Sequence, residues 1–380
     1  MFEWTEEQRL LKESVRRIAQ ERIAPRAAEM DARQEFPDDI HRLYIEQGLL
    51  KLKIPQEYGG VPADAVTCCL VTEEIARVDG SSSLLLVNHL AGLAPLLTGS
   101  TGDQKSRFLP RIVAEGHIVG FALTEPQAGS DAAALRTRAT RSAEGYRLSG
   151  TKCFITNGGA AKLFVLFATL DPGLKKRGVT AFLVEDGTPG VRVGKKEDKM
   201  GMRASPTTEL ILEDVFVPEE SRIAGEGEGW TLLIGGLSET RILIGALSLG
   251  LADGATEVAA RYARERSQFG KAIASFQAIQ FMLADMVIGI ETARSLVYRA
   301  ARMQDQGHPL IRQYASMAKC YASDMAMRVT TDAVQMMGGY GYMKDYPVER
   351  MMRDAKVLQI FEGTNQIQRM IIARDYLANL

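Results

Sequence analysis

The segment QIFEGTNQIQ at 359–368 places one carboxylate, Glu362, between Phe361 and Gly363, just where a helix begins. A carboxylate against an apolar wall is a stronger base than one in water, because burial disfavours its charged form. Gly363 has no side chain to obstruct a bulky ligand. The same glutamate also reads as an ordinary acid at a helix N-terminus, complementing the helix dipole. Four further strings carry groups able to hold a ligand. FALTEPQAGSD at 121–131 leaves a strand for a Gly/Ser turn, offering backbone N–H groups and the hydroxyls of Thr124 and Ser130 to a ring edge or a phosphate. KCFITNG at 152–158 puts Phe154 and Thr156 two residues apart, on one face of a strand, a pairing suited to a flat heteroaromatic ligand. ARERSQFGKAIASFQAIQ at 263–280 combines Arg264 and Arg266 with Phe269, Gly270 and Gln277, a set able to grip a diphosphate through charge-assisted bonds. QMMGGYGY at 335–342 is glycine-rich where a helix stops. Each string has a plainer reading: a turn, core packing, a solvated charged corner, and helix termination.

Other chemistries lack their residues. GEGEGW at 225–230 is short of the third glycine of a dinucleotide loop and reads as a linker; no phosphate-binding GxxxxGK[ST] and no GxSxG occurs. His41, His89, His117 and His308 are scattered, with no metal-ligand spacing. Net charge is −1 over 380 residues, so no global field draws the chain to nucleic acid or anionic lipid. Cys68, Cys69, Cys153 and Cys320 form no CxxC pair and fit a reducing compartment. The opening MFEWTEEQRL is acidic and amphipathic, unlike a signal or transit peptide. No apolar run approaches the roughly 20 residues of a membrane span. A soluble, cytoplasmic protein is expected.

The elements that must position these strings follow from periodicity. Residues 5–25 have helical spacing closed by Pro25; PQEYGG at 55–60 is a turn; 64–78, 82–99 and 101–116 read as helices, the second apolar all round and therefore buried. Near residue 118 short runs appear, such as VGFALT, LFVLFAT and the alternating TELILEDVFVP, with turns between them and no intervening helices. That texture predicts an antiparallel β domain rather than an alternating βαβ array. Helical periodicity returns at Gly229, as in the stripe Ile279, Met282, Leu283, Met286, Ile290, Ala293. The expected class is α+β: an N-terminal helical domain over 1–117, a middle antiparallel β domain over 118–225, and a C-terminal four-helix-bundle domain over 226–380.

Taken in order, FALTEPQAGSD, KCFITNG, ARERSQFG, QMMGGYGY and IFEGTNQIQ resemble the acyl-CoA dehydrogenase family, as do PQEYGG, KMGMRASPTTELILEDVFVP and YPVERMMRDAK. The resemblance spans essentially the whole chain. It implies FAD held between the β domain and the C-terminal helices, a homodimer or more often a homotetramer, and oxidation of an acyl-CoA to a trans-2-enoyl-CoA, with electrons passing to electron-transfer flavoprotein. On matching positions it implies that Leu123, Thr124 and Ser130 line the flavin or the CoA arm, and that Phe154, Ile155 and Thr156 flank the isoalloxazine. Arg266, Phe269, Gln277, Gln335, Gly338 and Gly339 would reach the FAD of a neighbouring subunit. Thr364, Asn365 and Gln366 would lie near the diphosphate. Ser238, Arg241, Gly363 and Arg374 would face the substrate.

The resemblance also bears on Glu362. The family places its base either at this glutamate or immediately before the arginine matching Arg241. Here the second slot holds Thr240, which cannot serve, and Glu239 would point about 100° away on a helix. Glu362 is thus the expected base, with its backbone N–H and a flavin ribityl hydroxyl polarising the thioester carbonyl. Two departures stand out: Phe154 replaces a common Trp, and Ser238 replaces the usual Asp. An acyl-CoA oxidase or flavin monooxygenase on the same scaffold, and a catalytically silent flavoprotein, are the rival readings. The acyl pocket is expected from 82–99 and 238–250, which are mainly small and aliphatic. They suit a short, branched or alicyclic chain, carried on CoA or on a carrier protein.

Overall fold

The computed structural model describes residues 4–380; positions 1–3 of the N-terminal domain lie outside the described residues. The chain opens with α1 (Glu6–Ile18), started by a capping box in which Thr5 and Gln8 satisfy each other's backbone N–H groups. Pro25 does not end this helix as expected. A π-turn at Ala19–Ile23 and a 3₁₀ turn at Ala24–Arg26 absorb the proline, whose missing N–H is harmless at the start of a turn, and the helix resumes as α2 (Ala27–Arg33). Then come α3 (Asp38–Glu46), α4 (Ala65–Ala76), α5 (Gly80–Gly99) and α6 (Gly102–Glu115). Asp64, Asp79 and Thr101 cap the last three through side-chain oxygens. As its composition predicts, α5 is buried along nearly its whole length.

The sheet follows: β1 (Val119–Ala122), β2 (Arg138–Arg141), β3 (Gly145–Thr156), β4 (Leu163–Thr169), β5 (Val179–Glu185), β6 (Val191–Lys196), β7 (Thr207–Pro218) and β8 (Arg222–Ile223). The order β6-β7-β3-β2-β4-β5-β8 is antiparallel throughout except where β2 meets β4, and β1 adds a second parallel pairing along β4. β4 and β5 are buried on both faces, which explains why their sequences are continuous apolar runs rather than alternating ones.

The C-terminal part is helical: α7 (Gly229–Glu265), α8 (Gln277–Asp305), α9 (Ile311–Met337), α10 (Val348–Val357) and α11 (Asn365–Ala378), with a two-residue hairpin, Ser267–Gln268 against Lys271–Ala272, between α7 and α8. α7 lies against α4 without a gap: a Cβ on Gly250 or Gly254 would sit 2.2 Å from Glu73 O or 2.0 Å from Arg77 O. Two helices, α5 and α7, prove long and apolar enough to cross a membrane, contrary to the expectation from run length. Their apolar windows are 78% and 67% buried inside the protein, as core helices are. All four cysteines are free and buried.

Candidate active site

A cleft of about 1180 Å³ opens where α5, the sheet, the first half of α7 and the α10–α11 turn converge. That lies above the roughly 300–1,000 Å³ of an ordinary small-molecule pocket. From the β domain come Leu123, Thr124 and Ser130, and Phe154, Ile155 and Thr156 at the end of β3. Strict alternation does not carry Phe154 to the site. The β3–β7 register slips between Lys152 and Ile155, and Phe154 takes a left-handed φ of 57°. This bulge pushes the ring outward, leaving it 62% exposed, while Ile155 stays buried. The FALTEPQAGSD turn is pinned beneath it. Lys152 Nζ donates to Glu125 Oε1 at 2.7 Å and to Leu123 O at 3.0 Å, and both side chains are buried. Glu125 also accepts from the N–H groups of Arg136 (2.6 Å) and Thr137 (2.9 Å). Burial alone would raise the Glu125 carboxyl, but Lys152 and these donors outweigh it and hold the carboxyl below its ordinary value.

Glu362 and Gly363 lie opposite, in the turn between α10 and α11, and both line the cleft. Their φ angles are 53° and 87°. Two successive left-handed residues are costly for a glutamate and persist only where the surroundings enforce them. Here Gln368 Nε2 donates to Glu362 O (3.1 Å) and Gly363 O (2.9 Å), Lys319 Nζ donates to Gly363 O (2.9 Å), and Thr364 caps α11. A Cβ on Gly363 would sit 2.6 Å from Gln368 Nε2. Among the described residues the N–H groups of Glu362 and Gly363 have no acceptor in the protein, leaving two donors for a ligand. Burial raises the Glu362 carboxyl above its ordinary range, opposed by the positive charges of Arg241 and then Lys319. Arg241, buried on α7, also lines the cleft and leaves its Nε without a partner. Thr240, beside it, donates its hydroxyl to Gly236 O within the helix, and Glu239 pairs with Lys53 instead of entering the cleft.

The remaining expected residues divide. Thr364 and Arg374 line the cleft. Ser238 is buried on α7 away from its lining, Asn365 is buried beneath the turn, and Gln366 is exposed. Arg266, Gln335, Gly338 and Gly339 line a separate open groove, with the Arg266 guanidinium 5.6 Å from the Tyr340 ring centroid. Phe269, 93% exposed, and Gln277 lie on the surface outside both hollows. The sequence reading missed Lys319, Gln368, Lys152 and Glu125, all of which hold site backbone in place. Glu125 and Lys152 do sit inside quoted strings, so a buried charge pair was the available signal. The reading also missed the first turns of α7, whose Trp230, Leu233 and Leu237 extend the apolar wall formed by Leu84 and Val87 of α5. The cleft lining carries seven Lys or Arg residues against four Asp or Glu, although the whole chain is nearly neutral. That local excess suits phosphate-bearing ligands.

One cleft wall, Gly201–Met202, is anchored from behind by Asp354 of α10, whose Oδ1 accepts from Met202 N–H at 2.5 Å. Burial, then repulsion from Asp79, pushes Asp354 up to about 7. Because the folded value is raised, the stability this group contributes is fully present below about pH 4 and is lost as pH rises through about 7. Asp354→Asn, a permanent mimic of the protonated form, is expected to flatten that slope and to melt higher than the parent at about pH 8. Parallel melting curves across the range would refute the assignment.

The architecture and this site together find close counterparts. The family models for the acyl-CoA dehydrogenase N-terminal, middle and C-terminal domains match residues 5–116, 120–215 and 227–377. The chain belongs to the acyl-CoA dehydrogenase family. It is an oxidoreductase of that flavoprotein family. It is 46% identical to cyclohex-1-ene-1-carbonyl-CoA dehydrogenase of Geobacter metallireducens over 98% of both chains. The structure of butyryl-CoA dehydrogenase from Megasphaera elsdenii superposes with a TM-score of 0.96 at 41% identity, covering 99% of this chain and 100% of that one. A chain in the structure of the electron transferring flavoprotein of Acidaminococcus fermentans gives 0.97 at 43%, covering 99% of each.

Proposed function

We propose that this protein is an FAD-dependent acyl-CoA dehydrogenase that introduces the Cα–Cβ double bond into a short or alicyclic acyl-CoA, giving a trans-2-enoyl-CoA from an open chain, with Glu362 as the base. The observation that carries the reading is a part-buried carboxylate on an enforced left-handed turn, lining the same cleft as the bulged Phe154. The residues fit the cofactor: Phe154 offers an exposed ring, Leu123, Thr124, Ile155 and Thr156 border it, and the basic lining suits a diphosphate. FAD, when bound, supplies the two-electron acceptor for the β-hydrogen. The protein's own part is to hold and deprotonate the thioester. The unpartnered N–H of Glu362 donates to the thioester carbonyl and stabilises the enolate that develops as the carboxylate takes the α-proton, an effect worth roughly 3–4 kcal/mol per donor in measured hydrolases. Arg241 and Arg374 face the substrate side.

The aliphatic wall from α5 and α7 supports a short or alicyclic acyl group, in keeping with the substrates named for the butyryl-CoA and cyclohexene-carbonyl-CoA relatives. The match to a chain in the electron transferring flavoprotein structure supports such a flavoprotein as electron acceptor. The Arg266–Gly339 groove, set apart from the cleft, supports a homo-oligomer in which it meets a neighbour's cofactor. The test is an anaerobic titration of the yellow protein with short, long, branched, alicyclic, aromatic and dicarboxylic acyl-CoAs. Bleaching by short or alicyclic members is expected. A protein that binds FAD but is bleached by none of them would overturn the reading.

A further inference from the structure

Lys319 lies on α9, is completely buried, and sends its ammonium to two neutral acceptors, Gly363 O at 2.9 Å and Asn365 Oδ1 at 2.8 Å. A buried cation normally has a carboxylate partner, because neutral acceptors repay little of the cost of removing its water. Lys319 forms no ion pair among the described residues. The nearest acid on its own helix, Asp324, is taken up by Arg369, Gln359 and Asn365. Burial accordingly pulls the Lys319 ammonium down to about 8, and Glu362 is the foremost charge holding it up. The other groups facing it are Cys320, Arg241 from α7 and Asp324. As a mere tie for the turn, a neutral donor would serve at lower cost; Gln368 already ties Gly363 O, together with Glu362 O.

We propose that Lys319 is a positioning residue that acts through Glu362: its charge, delivered beneath the Glu362–Gly363 turn, keeps the carboxylate ionised in its desolvated place. The proposal rests on the reading of Glu362 as the base. A cation fixed at the adjacent carbonyl favours the carboxylate over the acid without forming a salt bridge that would tie it up. Arg241 does the same from the cleft side. Lys319, together with Arg241, thereby lowers the pH below which the base is lost, and it stands outside the residues that line the cleft.

The test follows the FAD-loaded protein by two readouts: the pH profile of anaerobic bleaching by the best acyl-CoA, and the infrared carboxyl band of Glu362, identified by its loss in Glu362→Gln. Lys319→Gln keeps a donor for Gly363 O but removes the charge. It is expected to move the acid limb and the infrared titration upward together by about 1 pH unit, and Lys319→Arg to restore both. A Lys319→Gln protein with both midpoints unmoved would overturn the proposal. Should Lys319→Gln fail to fold, Lys319→Met, which keeps the packed stem without the charge, is read in its place; the same upward shift is expected, and its absence is equally fatal. Failure of the base reading looks different: Glu362→Gln would bleach normally while the infrared titration still responded to Lys319.

Discussion

Glu362→Gln gives a folded, yellow protein that the best acyl-CoA no longer bleaches at a useful rate. The amide keeps the shape, the backbone N–H and the left-handed turn, so FAD and thioester still bind. What disappears is the proton acceptor. General-base catalysis is ordinarily worth about 10²- to 10⁴-fold, and a thioester α-proton, being weakly acidic, places the loss toward the upper end. The pH dependence goes with it. Burial raises the Glu362 carboxyl, so the parent's bleaching rate is full above that raised value and falls as pH drops through it. The residual rate of the variant should be flat across the same window. Stopped-flow reduction under argon reads both, and a variant within tenfold of the parent would remove Glu362 from the mechanism.

The second large effect is on stability. Lys152→Met strips the buried partner from Glu125, whose side chain then remains charged among buried neighbours. Breaking such a pair from one side costs about 3–5 kcal/mol. The loss is expected as a lower denaturant midpoint, accompanied by weaker FAD retention, because Lys152 also ties Leu123 O beneath the cofactor wall. Adding Glu125→Gln to the same protein should recover much of the stability. It removes the stranded charge and keeps an acceptor for one of the two N–H groups that bond separate Glu125 oxygens, Arg136 on Oε2 and Thr137 on Oε1. If the double variant is no better than the single one, the stranded charge is not the cause.

The helix–sheet–helix order was legible because it rests on local periodicity, and the burial of α5 because a helix apolar on every side has nowhere else to go. Glu362 stood out in the sequence through its neighbours Phe361 and Gly363, and the resemblance set it above Thr240; the structure places it in the cleft lining. The site's supports were not. The bulge at Phe154 is a mismatch of register between β3 and β7, some fifty residues apart, and no feature of KCFITNG alone announces it. Lys319 reaches Gly363 across 44 residues of sequence, and periodicity marks it only as one more inward-facing position on α9. The parallel pairing of β1 with β4 likewise depends on which strands meet, which alternation within a strand does not encode. Pro25 misled because a proline stops a regular helix, whereas a widened turn passes it by.

The cleft draws its walls from Leu84, Thr124, Phe154, Arg241 and Glu362, positions spread over nearly 300 residues. During synthesis, therefore, no early stretch holds a finished binding surface. The N-terminal helices and the sheet leave the ribosome with the apolar side of α5 and the ring of Phe154 still uncovered, and chain closure between such distant parts is slow. If the cleft takes FAD as proposed, the nascent chain is expected to bind it only once α11 has docked. On that reading the cofactor joins the last step of folding and stabilises the finished chain by mass action. Scarcity of flavin in a cell would accordingly lower the amount of this protein as well as its activity.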